Sequence, residues 1–155
     1  MTLLKTLIFT LVVPATVTIY LPYALLPAPH TLPAGSWHYL GLIPITLGVL
    51  IYCWCTWNFA TTGRGTPAPI DPPKELVARG LYRYVRNPMY VGVLSILLGE
   101  ALFFASRTLL WYALVVFVGF NLFVLLYEEP TLRHKFGAVY ENYCAAVPRW
   151  LPRRR

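Results

Sequence analysis

The sequence predicts an all-α integral membrane protein with about four transmembrane helices and a C-terminal amphipathic cytoplasmic helix. Three observations carry this. Of 155 residues, 57% are hydrophobic and 12% charged, about half the charged fraction of a soluble domain. Four apolar runs, about 3–26, 37–60, 90–106 and 109–127, reach or approach the roughly 20 residues that cross a ~30 Å hydrocarbon layer. Lipid offers no partners to irregular backbone, so such runs are helices. Finally, the basic residues segregate. Lys5, the five of the 61–89 loop and the six beyond Tyr127 fall on one side, and Arg107 alone on the other. By the positive-inside rule both termini are cytoplasmic.

The net charge of +7 is therefore an orientation signal and gives no reason to expect nucleic acid. Residues 1–155 read as one membrane domain. The first run holds Pro14 and Pro22, which predicts a bent helix whose freed carbonyls are satisfied by its neighbours. Its length and prolines favour a retained span over a cleaved leader. Pro44 predicts a kink in the second run. The stretch 63–73 has four prolines and two glycines, which excludes regular structure. Lys74–Val85 reads as a short interfacial element, and Asn87-Pro88 opens the third span with proline in the first turn. Pro130 reads as the start of a separate helix over about 130–146, with Leu132, Phe136, Val139, Tyr140 and Tyr143 on one face. Trp150 with Arg153–Arg155 resembles an interfacial anchor. Cys53, Cys55 and Cys144 read as reduced and structural, and no metal-ligand pattern is present.

Two polar clusters flank the last hairpin. Arg79-Gly-Leu-Tyr-Arg-Tyr-Val-Arg-Asn-Pro-Met-Tyr-Val-Gly92 precedes span three, and Glu128-Glu129 closes span four. Both lie on the cytoplasmic face. Acids at a helix C-terminus oppose the macrodipole and need compensation. Adjacent residues point about 100° apart, so one acid should face a ligand and the other a basic loop residue. If the loop is helical, Arg79, Arg83 and Arg86 share a face, and Arg86 is placed to hold a carboxylate. Tyr82, Asn87 and Tyr90 offer hydrogen bonds and stacking at the same depth. Glu100 lies ten residues beyond Tyr90, about 15 Å deeper, near mid-membrane, where an ionisable residue is a functional candidate. Its alternative is a protonated acid bonded to a neighbouring aromatic. Ser95 and Gly99 form a small-xxx-small spacing suited to helix packing.

The two blocks, Gly80–Gly92 and Glu128-Glu129-x-x-Leu132-x-x-x-Phe136-Gly137-x-x-Tyr140-x-x-Tyr143, resemble the isoprenylcysteine carboxyl methyltransferase family, whose superfamily includes the phospholipid N-methyltransferases. The resemblance covers roughly residues 60–152. It implies a membrane enzyme that binds S-adenosylmethionine on the cytoplasmic side. The cofactor contacts it implies are Lys74, Glu75, Leu76, Val77, Tyr82, Asn87, Pro88, Met89, Tyr90 and Glu128. Asn87 stands where the family has histidine. Val124 stands where the prenylcysteine enzymes have a substrate-holding arginine. The Asn-Pro-Met-Tyr wording also looks like the phospholipid methyltransferases.

The resemblance thus implies methyl transfer to a lipophilic acceptor, isoprenylcysteine-carboxyl-methyltransferase-like, with membrane lipids as partners and Arg86, Glu129 and Glu100 as candidate catalytic groups. An amine acceptor must be deprotonated first, and Glu129 is the candidate base. The alternatives are a phospholipid amine-headgroup N-methyltransferase, and a small four-span cation exporter built on Glu100. A non-catalytic membrane interaction protein would share the fold without needing the acid pair.

Overall fold

The computed structural model describes residues 12–27, 32, 35–58, 61, 76 and 78–152. These form helices and their connections, with no strand among the described residues. Helix α1 is Val12–Leu25, α2 is Trp37–Asn58, α3 is Pro88–Phe103 and α4 is Arg107–Phe136. Helix α5 is Ala138–Ala146. By length and composition α2 and α4 can cross a membrane, with mean hydropathies of 1.7 and 2.4. The other two apolar helices, α1 and α3, are shorter over their described residues. Trp57, Trp111, Val115 and Leu126 are all more than half exposed, the outward apolar surface of a protein whose solvent is lipid.

Helix α3 is the centre of the bundle, with α2 on one side and α4 and α1 on another. The α2–α3 contact is made through glycine. A Cβ on Gly41 would sit 2.5 Å from the Gly99 carbonyl oxygen, and one on Gly48 would collide with that of Gly92. The two pairs recur seven residues apart on antiparallel helices, so both backbones meet at two successive levels. Gly99 packs as its spacing suggested, but its companion is Gly92. Ser95 Oγ instead donates to the Val91 carbonyl at 2.8 Å. Where the three helices meet, Val93 and Leu97 of α3 pack with Tyr52 of α2 and Ala113 of α4, and Met89, Tyr112 and Phe120 surround them.

Prolines leave a consistent trace. In α1 the Leu21 N–H reaches the Thr16 carbonyl, five residues back, immediately before Pro22, which has no N–H to give. The Tyr112 hydroxyl of α4 donates to the Val17 carbonyl at 2.9 Å, the interhelical compensation expected for this proline-bearing helix. Pro44 lies in the first turn after a 3₁₀ segment, Trp37–Gly41. There its missing N–H is no loss, and the expected kink takes the form of a change of helix type.

Pro130 does not begin a new helix. Over Val124–Glu128 the ladder widens to a π-turn, with the Glu129 N–H bonded to the Val124 carbonyl, and α4 continues to Phe136. The break comes at Gly137, with φ 53° and ψ −131°, a conformation open to glycine and strained for other residues. The amphipathic element therefore divides into the end of α4 and a nine-residue α5. Tyr140 is buried on the expected face, whereas Val139 is exposed.

The α3–α4 connection is tight. Ser106 Oγ caps α4 by accepting from the Leu109 N–H at 3.3 Å, and Ala105 adopts φ 46°. Because α3 ends at Phe103, Glu100 lies in its last turn, at the end of the helix instead of the middle.

Candidate functional site

The opposite end of α3 carries the other polar groups. Asn87 is the N-cap of α3 and Pro88 its first residue, so Tyr90 projects from the first turn. Its hydroxyl donates to Glu128 Oε2 at 2.9 Å. Its ring lies 4.6 Å from that of Phe120 and 6.5 Å from that of Trp150, which is 5.5 Å from Phe117. The tyrosine that holds the carboxylate thus belongs to a run of four aromatic rings.

Glu129, one step round the helix, does something different. It is buried, and its Oε1 accepts from Arg86 Nη1 at 3.1 Å and from Arg149 Nε at 2.7 Å, while Oε2 accepts from Arg149 Nη2 at 3.1 Å. One acid meets the Tyr90 hydroxyl and the other a loop arginine, in keeping with the 100° offset. The Glu129 carboxylate, by accepting these hydrogen bonds, holds the Arg149 guanidinium above its ordinary pKa. Both of its oxygens are thus taken up by guanidinium donors. The arrangement makes Glu129 a clamp between the loop before α3 and the C-terminal segment.

That clamp fixes the C-terminal segment. The Arg86 N–H donates to the Pro148 carbonyl at 2.9 Å and Asn87 Nδ2 to the Arg149 carbonyl at 3.3 Å. Trp150 Nε1 donates to Asn121 Oδ1 at 3.0 Å. Four anchors therefore seat residues 148–150 against the acid pair. Tyr143 reinforces them from α5, donating to the Tyr82 carbonyl at 2.7 Å. Burial is the main cause that keeps Tyr82, Tyr140 and Tyr143 above the usual phenol range. Trp150 is a packed wall of the site, where the sequence suggested a headgroup anchor. Arg153–Arg155 lie outside the described residues.

The loop before α3 is a 3₁₀ turn, Gly80–Arg83, preceded by extended Arg79. The three arginines accordingly do not share a helical face. Arg79 and Arg83 are exposed, and Arg86 alone turns inward. Tyr82 is buried and hydrogen-bonded to Cys55. Met89 packs beneath it with Cys55, so its side chain serves the core. Of the four-residue segment expected to touch a cofactor, Leu76 is described, and Lys74, Glu75 and Val77 lie outside the described residues. Glu100 is not brought together with any of these groups. Its Oε2 is buried without a hydrogen-bond partner at the far end of α3, near Tyr112.

Sequence reasoning missed Arg149, Asn121 and Phe120. The first is one of several C-terminal arginines, and the others sit inside an apolar run. No spacing rule singles them out.

The family model for phospholipid methyltransferases matches residues 36–139, well over half of the chain. The chain belongs to the phospholipid methyltransferase family. The matched stretch holds Arg86, Tyr90 and the acid pair, and ends before Arg149 and Trp150, which complete the site from outside it. This family shares a superfamily with the isoprenylcysteine carboxyl methyltransferases that the two motif blocks resemble. No match is found among curated proteins or solved structures. Family membership makes this a membrane methyltransferase.

The described residues suit a methyl donor carrying both a cationic centre and hydrogen-bond acceptors. Glu128 and the Tyr90, Phe120 and Trp150 rings favour a cation. Arg86 Nε is buried with no acceptor, a donor that costs free energy until something fills it.

Proposed function

We propose that this protein spans the membrane four times with both termini in the cytoplasm, and transfers a methyl group from S-adenosylmethionine to the amine headgroup of a phospholipid. The observation that carries the reading is the Tyr90–Glu128 pair, set among aromatic rings at the end of α3 that the basic residues assign to the cytoplasm. S-adenosylmethionine, when bound, would supply an electrophilic methyl group on a sulfonium sulfur. Residues that would hold it are Glu128, Tyr90, Tyr82 and Arg86, with the backbone near Leu76.

The chain's own contribution is alignment. Placing reacting atoms ~3–3.5 Å apart can lower a barrier by about 7–11 kcal/mol. The four anchors of residues 148–150 keep Trp150 over Tyr90 and exclude water from that side. Tyr90 fixes the Glu128 carboxylate by occupying one oxygen. An amine acceptor arrives protonated and must lose its proton before attack. Glu128 is the carboxylate in position to take it, because Glu129 is held by two arginines.

The same pairing supports an amine over a carboxylate acceptor. The charges of Arg86 and Arg149 are already paired by Glu129, and Val124 supplies no cation where the prenylcysteine enzymes have one.

The decisive assay incubates membranes with methyl-labelled S-adenosylmethionine and identifies the product. Label stable to base on a lipid headgroup is expected, and a base-labile methyl ester would refute the amine assignment. S-adenosylhomocysteine should bind the purified protein by calorimetry, and absence of binding would refute the enzyme reading.

A further inference from the structure

An apolar groove runs between α3 and α4. It comprises two cavities of about 500 and 330 Å³. The larger has wholly apolar walls that include Leu94, Leu98, Leu114 and Phe117. The smaller continues it toward Arg107, and Leu98 and Leu110 line both. From Phe117 to Arg107 is ten residues, about 15 Å along α4.

Two features separate this groove from ordinary lipid-facing surface. It has a defined end at the site, since the Phe117 ring is 5.5 Å from Trp150, which is 6.5 Å from the Tyr90 ring. Tyr90 in turn holds Glu128. It also has no counterpart in the glycine contact on the opposite side of α3. There the Gly41–Gly99 and Gly48–Gly92 pairs bring backbones together, whereas leucines on α3 and α4 stand apart and leave a gap.

We propose that this groove holds one hydrocarbon chain of the lipid acceptor. The chain lies along α3 and α4 toward Arg107, and Phe117 with Trp150 forms the threshold between chain and headgroup. This assignment rests on the methyl-transfer reading above. A chain entering from the bilayer exchanges one apolar environment for another, so its hydrophobic gain is small. The benefit is orientation, because a chain fixed in the groove delivers its headgroup to Glu128 at a set depth. Filling the groove should therefore impair the use of long-chain acceptors without disturbing binding at the recess.

The test uses protein in nanodiscs containing phosphatidylethanolamine with a photoactivatable diazirine in mid-chain. After illumination, labelled peptides are mapped. Groove residues of α3 and α4 should be labelled at least fivefold more than Leu47 and Leu50, which are exposed on α2. Leu98→Trp and, independently, Leu114→Trp should each abolish that excess. Both positions are nearly half exposed, so a larger side chain has room. Calorimetry with S-adenosylhomocysteine verifies that each variant keeps its fold and recess. Both should also lower kcat/KM for a long-chain acceptor at least tenfold relative to a dihexanoyl analogue. Equal labelling of α2 and the groove, or unchanged labelling in both variants, would overturn the proposal while leaving methyl transfer intact. Groove labelling in a wild-type protein that binds no S-adenosylhomocysteine would instead overturn the methyl-transfer reading, and the acceptor assignment with it.

Discussion

Replacing Glu129 with leucine tests whether this acid is a clamp. The Glu129 side chain is 8% exposed, that of Arg86 13% and that of Arg149 31%. The substitution deletes three charge-assisted hydrogen bonds of 2.7, 3.1 and 3.1 Å. Taken singly each contributes about 1.5–3 kcal/mol. They do not add, because two belong to one bidentate contact and Arg149 can turn toward water. Removing one partner of a buried ion pair costs about 3–5 kcal/mol, and the exposure of Arg149 argues for the lower end, about 3 kcal/mol. At about 2–4 °C per kcal/mol for a chain of this size, the Tm should fall by about 6–12 °C. Thermal unfolding in detergent, followed by tryptophan fluorescence, measures it. The triple variant Arg86→Met, Glu129→Leu, Arg149→Met should recover most of the loss, since a matched apolar set avoids the desolvation of three charges. A Tm change under about 2 °C for the single substitution would refute the clamp.

Other expectations follow from the same geometry. Gly48→Ala should destabilise the protein by about 2 kcal/mol or more, because its Cβ meets the Gly92 backbone and Ile96. Gly119→Ala on α4, with nothing within 4 Å of its Cβ, should be neutral or stabilising by up to about 1 kcal/mol; thermal unfolding separates the two. Tyr90→Phe should weaken S-adenosylhomocysteine binding by about tenfold, one hydrogen bond's worth, and Glu128→Ala should weaken it further, both read by calorimetry. Tyr82, Tyr140 and Tyr143 have folded-state pKa values above the ordinary 10.0. Their contribution to stability is therefore intact below about pH 10 and is lost at higher pH, where the unfolded chain ionises first. Unfolding at pH 11 should accordingly release additional tyrosinate absorbance.

Much of this was legible in the residues. Hydropathy gave the apolar helices, and the opposed directions of Glu128 and Glu129 followed from helix geometry. The convergence of Tyr90 and Glu128 followed from the hairpin. What the sequence concealed has physical causes. Gly41, Gly48, Gly92 and Gly99 are seven apart within each helix, but their pairing depends on the register of two helices joined by a long loop. Arg149 is distinguished from its arginine neighbours only by where Pro148 places it. Glu100 reads as central in a long apolar run, and its position at a helix end was set by the turn at Phe104–Ser106. Pro130 reads as a boundary because a proline interrupts an ideal α ladder, and here the ladder widened.

That widened turn has a consequence for how the span is counted. At 100° per residue, Glu129 would emerge about 140° around the helix from Val124, a buried position. The bond from the Glu129 N–H to the Val124 carbonyl instead closes one turn over five residues, so the helical phase slips by one residue. A helical wheel drawn through this segment would aim the acid at lipid, whereas the chain aims it at two arginines. The surplus residue that accommodates Pro130 also rotates the charge inward, so a single local irregularity sets both the continuity of the helix and the identity of its functional face.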